Sequence, residues 1–238
     1  MIIVIGRGHG GTRLISRLLL ESGIATGNVN YARDMVPPTH MHEAADLYSS
    51  QVDYLGDCEW DFSRANGMEV PADFERKVNL YLEPIRDVPE PKYFKLPETV
   101  LGYPWIQQLF PDATYIHWVR DPRDAELHNS DWRSMWDQWC IDRKRLGERL
   151  IAAMSWKYQY DIVKSVPPPD RFIRVRYEDF CLEHEREVVR LSEYLGLPLD
   201  PLTDIRQDAV YKWRRSGEHE TFDFLEPAIA ELGYTNGA

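Results

Sequence analysis

Cysteine, positive charge and long apolar runs are all scarce in this chain, and each shortage excludes something. The three cysteines, Cys58, Cys140 and Cys181, lie far apart. They make no metal-ligand spacing and read as free thiols in a reducing compartment. Lysine and arginine number 28 against 39 aspartates and glutamates, a net charge of −11. That balance is wrong for a nucleic-acid binder, which needs a broad basic face; a small anion site needs only a local cluster. No run of 18 apolar residues exists, so no membrane-spanning helix is expected. No basic stretch followed by an apolar one opens the sequence, so no secretory leader and a cytoplasmic location are the expectation. Internal repeats and low-complexity segments are also missing.

What is present suffices for one domain. With 238 residues, 43% of them apolar, the chain can bury a sizeable core. The organising stretch is residues 2 to 20, I-I-V-I-G-R-G-H-G-G-T-R-L-I-S-R-L-L-L. Ile2 to Ile5 is a short β-branched run and reads as a buried strand. Gly6, Gly8, Gly10 and Gly11 follow within six positions, and from Thr12 Ile15, Leu18 and Leu19 recur at helical spacing. A strand, glycine loop and helix in this order aim backbone N–H groups and the helix's positive end at one point. Glycine lets the backbone approach an anion. Thr12 can cap the helix or bond a phosphate oxygen, and Arg7, His9 and Arg13 add basic groups. Phosphate is the simplest ligand. Gly6, Gly11 and Thr12 fit the spacing G-x-x-x-x-G-K-[ST], but the lysine before the threonine is missing. That argues against an ordinary kinase or GTPase.

Farther along, Pro37-Pro38 belongs to a loop carrying Asp34, His40, His42 and Glu43. The pattern predicts a helix over 39–55, a polar turn-rich stretch over 56–71 and a helix from Pro71 to Ile85. Residues 39–90 thus read as a helical insertion or lid within a single domain, 1–238. Strands are predicted at 92–95, 113–119 and 172–175. Helices are predicted over 98–110, from Arg123, within 132–164, over 185–195 and around 224–232, with the last forty residues otherwise irregular. Strands alternating with helices imply an α/β fold, a three-layer sandwich on a central parallel sheet. Ligands of such sheets sit at the carboxyl ends of the strands. The glycine loop, K-L-P-E, R-D-P-R-D and R-Y-E-D each follow a strand and should share one rim.

Each residue also has a plainer reading. Arg120 suits a bidentate phosphate contact, or a salt bridge to Asp121 or Asp124. Lys95 is a site lysine or an exposed strand-end charge. Lys212, Arg214 and Arg215, around Trp213, are a basic loop for an anion or a solvated turn. Arg123 reads as a solvated charge at a helix start. Glu178 and Asp179 read as structural acids, anchoring the loop arginines and capping the next helix. Trp132, Trp136 and Trp139 share a helical face and read as core. His117 alternates within a buried strand and reads as a satisfied core histidine.

Taken together the segments resemble sulfotransferases. Arg7 to Thr12 resembles the family's 5′-phosphosulfate loop, [KR]-[GS]-G-T after the first strand, with His9 where lysine or arginine is usual. F-P-D-A-T-Y-I-H-W-V-R-D-P-R-D resembles its 3′-phosphate segment, and R-F-I-R-V-R-Y-E-D-F-C with E-Y-L-G-L-P resembles its later strand. The resemblance covers about residues 1 to 22 and 92 to 215 and implies a P-loop-type fold. It also implies 3′-phosphoadenosine 5′-phosphosulfate (PAPS) as cofactor. The sulfuryl group then passes to a hydroxyl or amine of a small-molecule, carbohydrate, lipid or peptide acceptor. Arg7, Gly8, His9, Gly10, Gly11, Thr12, Arg13 and Arg120 would hold the cofactor, with the late basic Lys212, Arg214 and Arg215. The family's serine, eight positions after the arginine, is replaced by His128, with Ser130 two farther on; either would contact the 3′-phosphate. Lys95 in K-L-P resembles a lysine that touches the transferring group.

In-line transfer leaves negative charge on the bridging oxygen, and preorganised donors must meet it. His9, Thr12 and Lys95 are the candidates. A base must take the acceptor's proton. By resemblance this is Asp34, with His40, His42 and Glu43 as rivals. No metal is called for. Two other classes remain: a P-loop nucleotide kinase or hydrolase, and a non-catalytic nucleotide-binding module.

Overall fold

The computed structural model describes residues 1–125, 139, 141, 145–216 and 222–234. Four parallel strands form its central sheet: β1 (Ile2–Gly6), β4 (Tyr93–Lys95), β5 (Thr114–Val119) and β6 (Phe172–Arg176). Their order is β4-β1-β5-β6. In register, Val4 pairs with Lys95, Gly6 with Trp118, and Val119 with Arg176. Because every pair is parallel, all four carboxyl ends emerge at one edge.

Side-chain alternation along β1 builds two cores. Ile2 and Val4 face Ile15, Leu18 and Leu19 of α1 (Arg13–Glu21) and Val188, Leu191 and Leu195 of α9 (His184–Leu195). Ile3 and Ile5 face the opposite layer. There they join Tyr48 of α2 (Thr39–Ser49), Phe74 and Val78 of α4 (Ala72–Leu82), and Met154, Tyr158 and Ile162 of α7 (Glu148–Lys164). This is the expected three-layer α/β sandwich. A third cluster joins Val119 and Trp156 to Leu225, Ile229 and Tyr234 of the C-terminal segment. Among the described residues no helix is long and apolar enough to cross a membrane.

Several local expectations need correction. The helix predicted over 39–55 stops at Ser49, and an antiparallel hairpin follows, β2 (Asp53–Gly56) with β3 (Glu59–Asp61). A short α3 (Ser63–Asn66) completes that stretch. The helix expected over 98–110 is a 3₁₀ segment, Pro97–Gly102, before α5 (Tyr103–Leu109). Two short helices were not anticipated, α8 (Tyr177–Leu182) after β6 and α10 (Lys212–Ser216) in the stretch read as irregular. Elsewhere α6 (Pro122–Ala125) opens near Arg123, and α11 (Glu226–Glu231) lies where the closing helix was placed. Trp132 and Trp136 lie outside the described residues, whereas Trp139 packs edge-on to Tyr158 at 4.7 Å.

Candidate active site

The site is assembled at the carboxyl edge of the sheet. After β1 the chain turns tightly, with the Gly10 N–H donating to the Arg7 carbonyl at 3.0 Å and the Leu14 N–H to that of Gly11 at 3.0 Å. The glycines serve packing here. A Cβ on Gly6 would lie 2.6 Å from the Trp118 carbonyl oxygen, and one on Gly11 2.6 Å from the Tyr177 ring. Gly11 also has a positive φ of 85°, which glycine adopts without strain. The Trp118 indole N–H donates to the Gly10 carbonyl at 2.9 Å, tying the loop to β5. Arg7 is buried and its guanidinium donates to the Gly8 carbonyl at 3.1 Å. Thr12 is buried and its hydroxyl does not cap α1. Arg13 and His9 are exposed, His9 in the left-handed region at φ 59°. Partial desolvation of the His9 ring lowers its pKa, Arg7 adds to that and Glu98 opposes it. Near neutral pH His9 is therefore a neutral imidazole, not a substitute for lysine's charge.

On one side of the loop stand Lys95 and Asp34. The sequence supplied them separately, and the fold joins them. Lys95, at the end of β4, is buried and ion-paired with Asp34, and donates to the Ala32 carbonyl at 3.0 Å. Burial lowers the lysine's pKa, while Asp34 and, more distantly, Glu98 work against that. Asp34 lies on a built turn. The Asn30 side-chain oxygen accepts from the N–H groups of Ala32 (2.8 Å) and Asp34 (3.0 Å). The Met35 N–H reaches the Lys95 carbonyl at 2.9 Å. Ser16 of α1 donates to the Arg33 carbonyl at 2.9 Å. The rival bases separate here. Glu43 accepts from Lys77 at 2.8 Å and contacts His40 at 3.3 Å, whereas His42 Nε2 lies 3.8 Å from the Glu98 carboxylate. Glu98 closes the segment K-L-P-E three positions past Lys95, and that spacing is the one signal the sequence carries for it.

Arg120 occupies the other side, at the end of β5. Its guanidinium stacks on the Tyr177 ring at 4.4 Å and donates to Asp124 at 3.1 Å and the Ala209 carbonyl at 2.8 Å. Its buried Nε has no hydrogen-bond partner. Asp124 also accepts from the Trp213 N–H at 3.0 Å, which docks α10 onto this strand end. Lys212, Arg214 and Arg215 thereby come to the Arg120 side. Arg214 stacks on Tyr211 at 4.4 Å, and Arg215 donates to the Asp208 carbonyl. His128 and Ser130 lie outside the described residues.

Three expectations fail at this edge. Arg123 is buried, not solvated: it forms two bonds of 2.9 and 2.8 Å to Asp121, donates to the Tyr234 carbonyl at 2.8 Å and lies 4.0 Å above Trp213. Glu178 does not anchor the loop arginines. It accepts from the Asp121 N–H at 3.0 Å and the Tyr234 hydroxyl at 2.8 Å. His117 is buried with Nδ1 unpartnered, and burial pushes its pKa down to about 3. In each case a contact from a distant part of the chain, or its lack, was invisible locally.

Burial raises the Glu178 pKa to about 7 from 4.5. An acid held protonated in the fold loses stability as pH rises between its unfolded and folded values. Between about pH 4.5 and 7 this one group should therefore cost about 2–4 kcal/mol. Denaturant unfolding across that range should show the decline, and Glu178→Gln, whose amide oxygen still accepts from the Asp121 N–H, should flatten it. A parallel decline in the variant would remove Glu178 as the cause.

The sequence pattern of the sulfotransferase family matches residues 2–201. Among solved structures, the chain is similar to the sulfotransferase domain from the curacin biosynthetic pathway. The identity is 15% and the TM-score 0.64, over 99% of this chain and 98% of that one. It is also similar to the sulfotransferase domain from the Synechococcus PCC 7002 olefin synthase. There the identity is 16% and the TM-score 0.58, over 100% and 95% of the chains. Comparison with curated proteins finds no match.

Proposed function

We propose that this chain, which belongs to the sulfotransferase family, moves a sulfuryl group from PAPS to a hydroxyl or amine of a small acceptor. The observation that carries this reading is the convergence of Lys95, the glycine loop and Arg120 at the carboxyl ends of three adjacent parallel strands. The residues present fit the cofactor. The unpartnered, buried Nε of Arg120 is a donor awaiting an acceptor such as a phosphate oxygen. Basic groups of α10 stand beside it in an otherwise acidic chain. The missing Walker lysine speaks against a nucleotide kinase or hydrolase.

PAPS supplies an activated sulfuryl group on a phosphate leaving group. The chain's part is positioning and charge. Arg7, Thr12, Arg13 and the loop N–H groups of Gly8, His9 and Gly11 hold the 5′ side, with Gly10 shaping the turn through its bond to the Arg7 carbonyl; Arg120, Lys212, Arg214 and Arg215 hold the 3′ side, with His128 and Ser130 proposed there from sequence. His9, as a neutral imidazole, donates a hydrogen bond where charge develops. Lys95 contributes a desolvated positive charge, kept in place by Asp34. The domain is single, with 39–90 inserted between β1 and β4, and the proposed setting is cytoplasmic.

Thermal melting tests the reading. Adenosine 3′,5′-bisphosphate at about 100 times its Kd should stabilise the fold by about 2.7 kcal/mol. For a chain of this size that raises Tm by about 5–10 °C. ATP with magnesium should do much less. A shift with ATP alone would establish the kinase reading instead.

A further inference from the structure

We infer that Glu98 is the base that takes the acceptor's proton, with His42 orienting its carboxylate; the inference rests on the sulfuryl-transfer reading above. The four acid–base candidates of the loop after α1 are accounted for otherwise. Asp34 is ion-paired to buried Lys95 and receives a further contact from the Asn30 amide at 3.4 Å. That carboxylate is already committed as the counter-charge of a buried lysine. Glu43 and His40 form their own cluster with Lys77. His42 points Nε2 at Glu98 from 3.8 Å.

Glu98 is placed differently. It lies in the 3₁₀ turn Pro97–Gly102, directly past the end of β4, so it shares the edge with Lys95. Its side chain keeps 27% exposure, which leaves a path to an incoming acceptor and to solvent. His42 Nε2 of α2 lies 3.8 Å from its carboxylate, and its charge acts on His9 of the glycine loop, Lys95 of β4 and Tyr81 of α4. Among the described residues it is therefore a carboxylate whose charge reaches both the loop proposed at the leaving oxygen and the lysine proposed at the transferring group. A base belongs near those two groups.

The step balances. The acceptor oxygen forms its bond to sulfur as its proton passes to the Glu98 carboxylate. The electron pair of the broken sulfur–oxygen bond stays on the 5′-phosphate oxygen. Glu98 then releases the proton to water.

The test uses the full chain and water as the probe acceptor. Wild type and Glu98→Gln are compared for single-turnover release of labelled sulfate from PAPS, for calorimetric affinity toward adenosine 3′,5′-bisphosphate, and for the His42 ring resonances by NMR. Sulfate release should fall by about 100-fold or more in Glu98→Gln, with bisphosphate affinity unchanged. The His42 ring resonances should move once the carboxylate 3.8 Å from Nε2 is replaced by an amide. Release within about threefold of wild type would overturn the assignment, since a lost general base costs far more. Unmoved His42 ring resonances would overturn the pairing. If wild type binds the bisphosphate but releases no sulfate, the catalytic reading falls and Glu98's role with it. If wild type does not bind the bisphosphate at all, the cofactor reading falls first.

Discussion

Lys95→Met destabilises the chain by about 3–5 kcal/mol, the range expected when one partner of a buried ion pair is removed and the other stays charged. Lys95 is 2% exposed and Asp34 loses its main counter-charge with it. The methionine fills most of the lysine's volume, so a cavity contributes little. Adding Asp34→Asn removes the stranded charge, and the double variant should recover much of the loss. A double-mutant cycle by urea unfolding therefore gives a coupling well above the roughly 0.2–1 kcal/mol of exposed pairs. Sulfuryl transfer should stay lost in the double variant by about 100-fold or more, because the stability defect is repaired while the positive charge at the transferring group is not. Restored stability with restored turnover would show that Lys95 holds Asp34 in place and does nothing further. Additivity of the two single changes would mean that the pair does not exist in solution.

The two residues of that pair show how far local reading reaches. Lys95 stood out because it ends a strand, and Asp34 because it follows the first helix. Their contact spans 61 positions and is made by a turn whose order comes from Asn30, Ser16 and β4. Nothing in periodicity encodes it. β1, β4 and β5 were legible because their β-branched and aromatic runs are buried on both faces, whereas the edge strand β6 buries only Val175 fully. The 53–61 hairpin was not. Its turn places Asp57 and Cys58 at positive φ without an Asn-Gly or Asp-Gly signal, and only Tyr54 and Trp60 mark an inward face. Arg123 was misread for a related reason. A helix start beside two acids suggests solvent, but Trp213 and Tyr234 arrive from the far end of the chain and close over it. Glu98 has only its spacing from Lys95 to mark it, since its contact with His42 comes from a separate helix.

Arg120→Ala should remove discrimination for the 3′-phosphate. Hydrogen bonds to charged groups contribute about 1.5–3 kcal/mol, so affinity for adenosine 3′,5′-bisphosphate should fall about 10- to 150-fold while affinity for AMP stays nearly unchanged. The comparison matters because Arg120 has structural duties. Its loss leaves the fully buried Asp124 carboxylate without its guanidinium partner, though still accepting from the Trp213 N–H, and removes the stack on Tyr177, the ring that Gly11 packs against. The variant should therefore also melt earlier. A purely structural arginine would weaken both nucleotides together through a loosened edge. A phosphate-binding one weakens only the ligand that carries the extra phosphate. Arg120→Lys separates charge from shape. It keeps the positive end near Asp124 but lacks the planar fork that stacks on Tyr177 and offers Nε. If lysine restores stability without restoring the preference for the bisphosphate, the unpartnered Nε is the donor that the 3′-phosphate uses. If lysine restores both, a point charge suffices and the fork is not what the site reads.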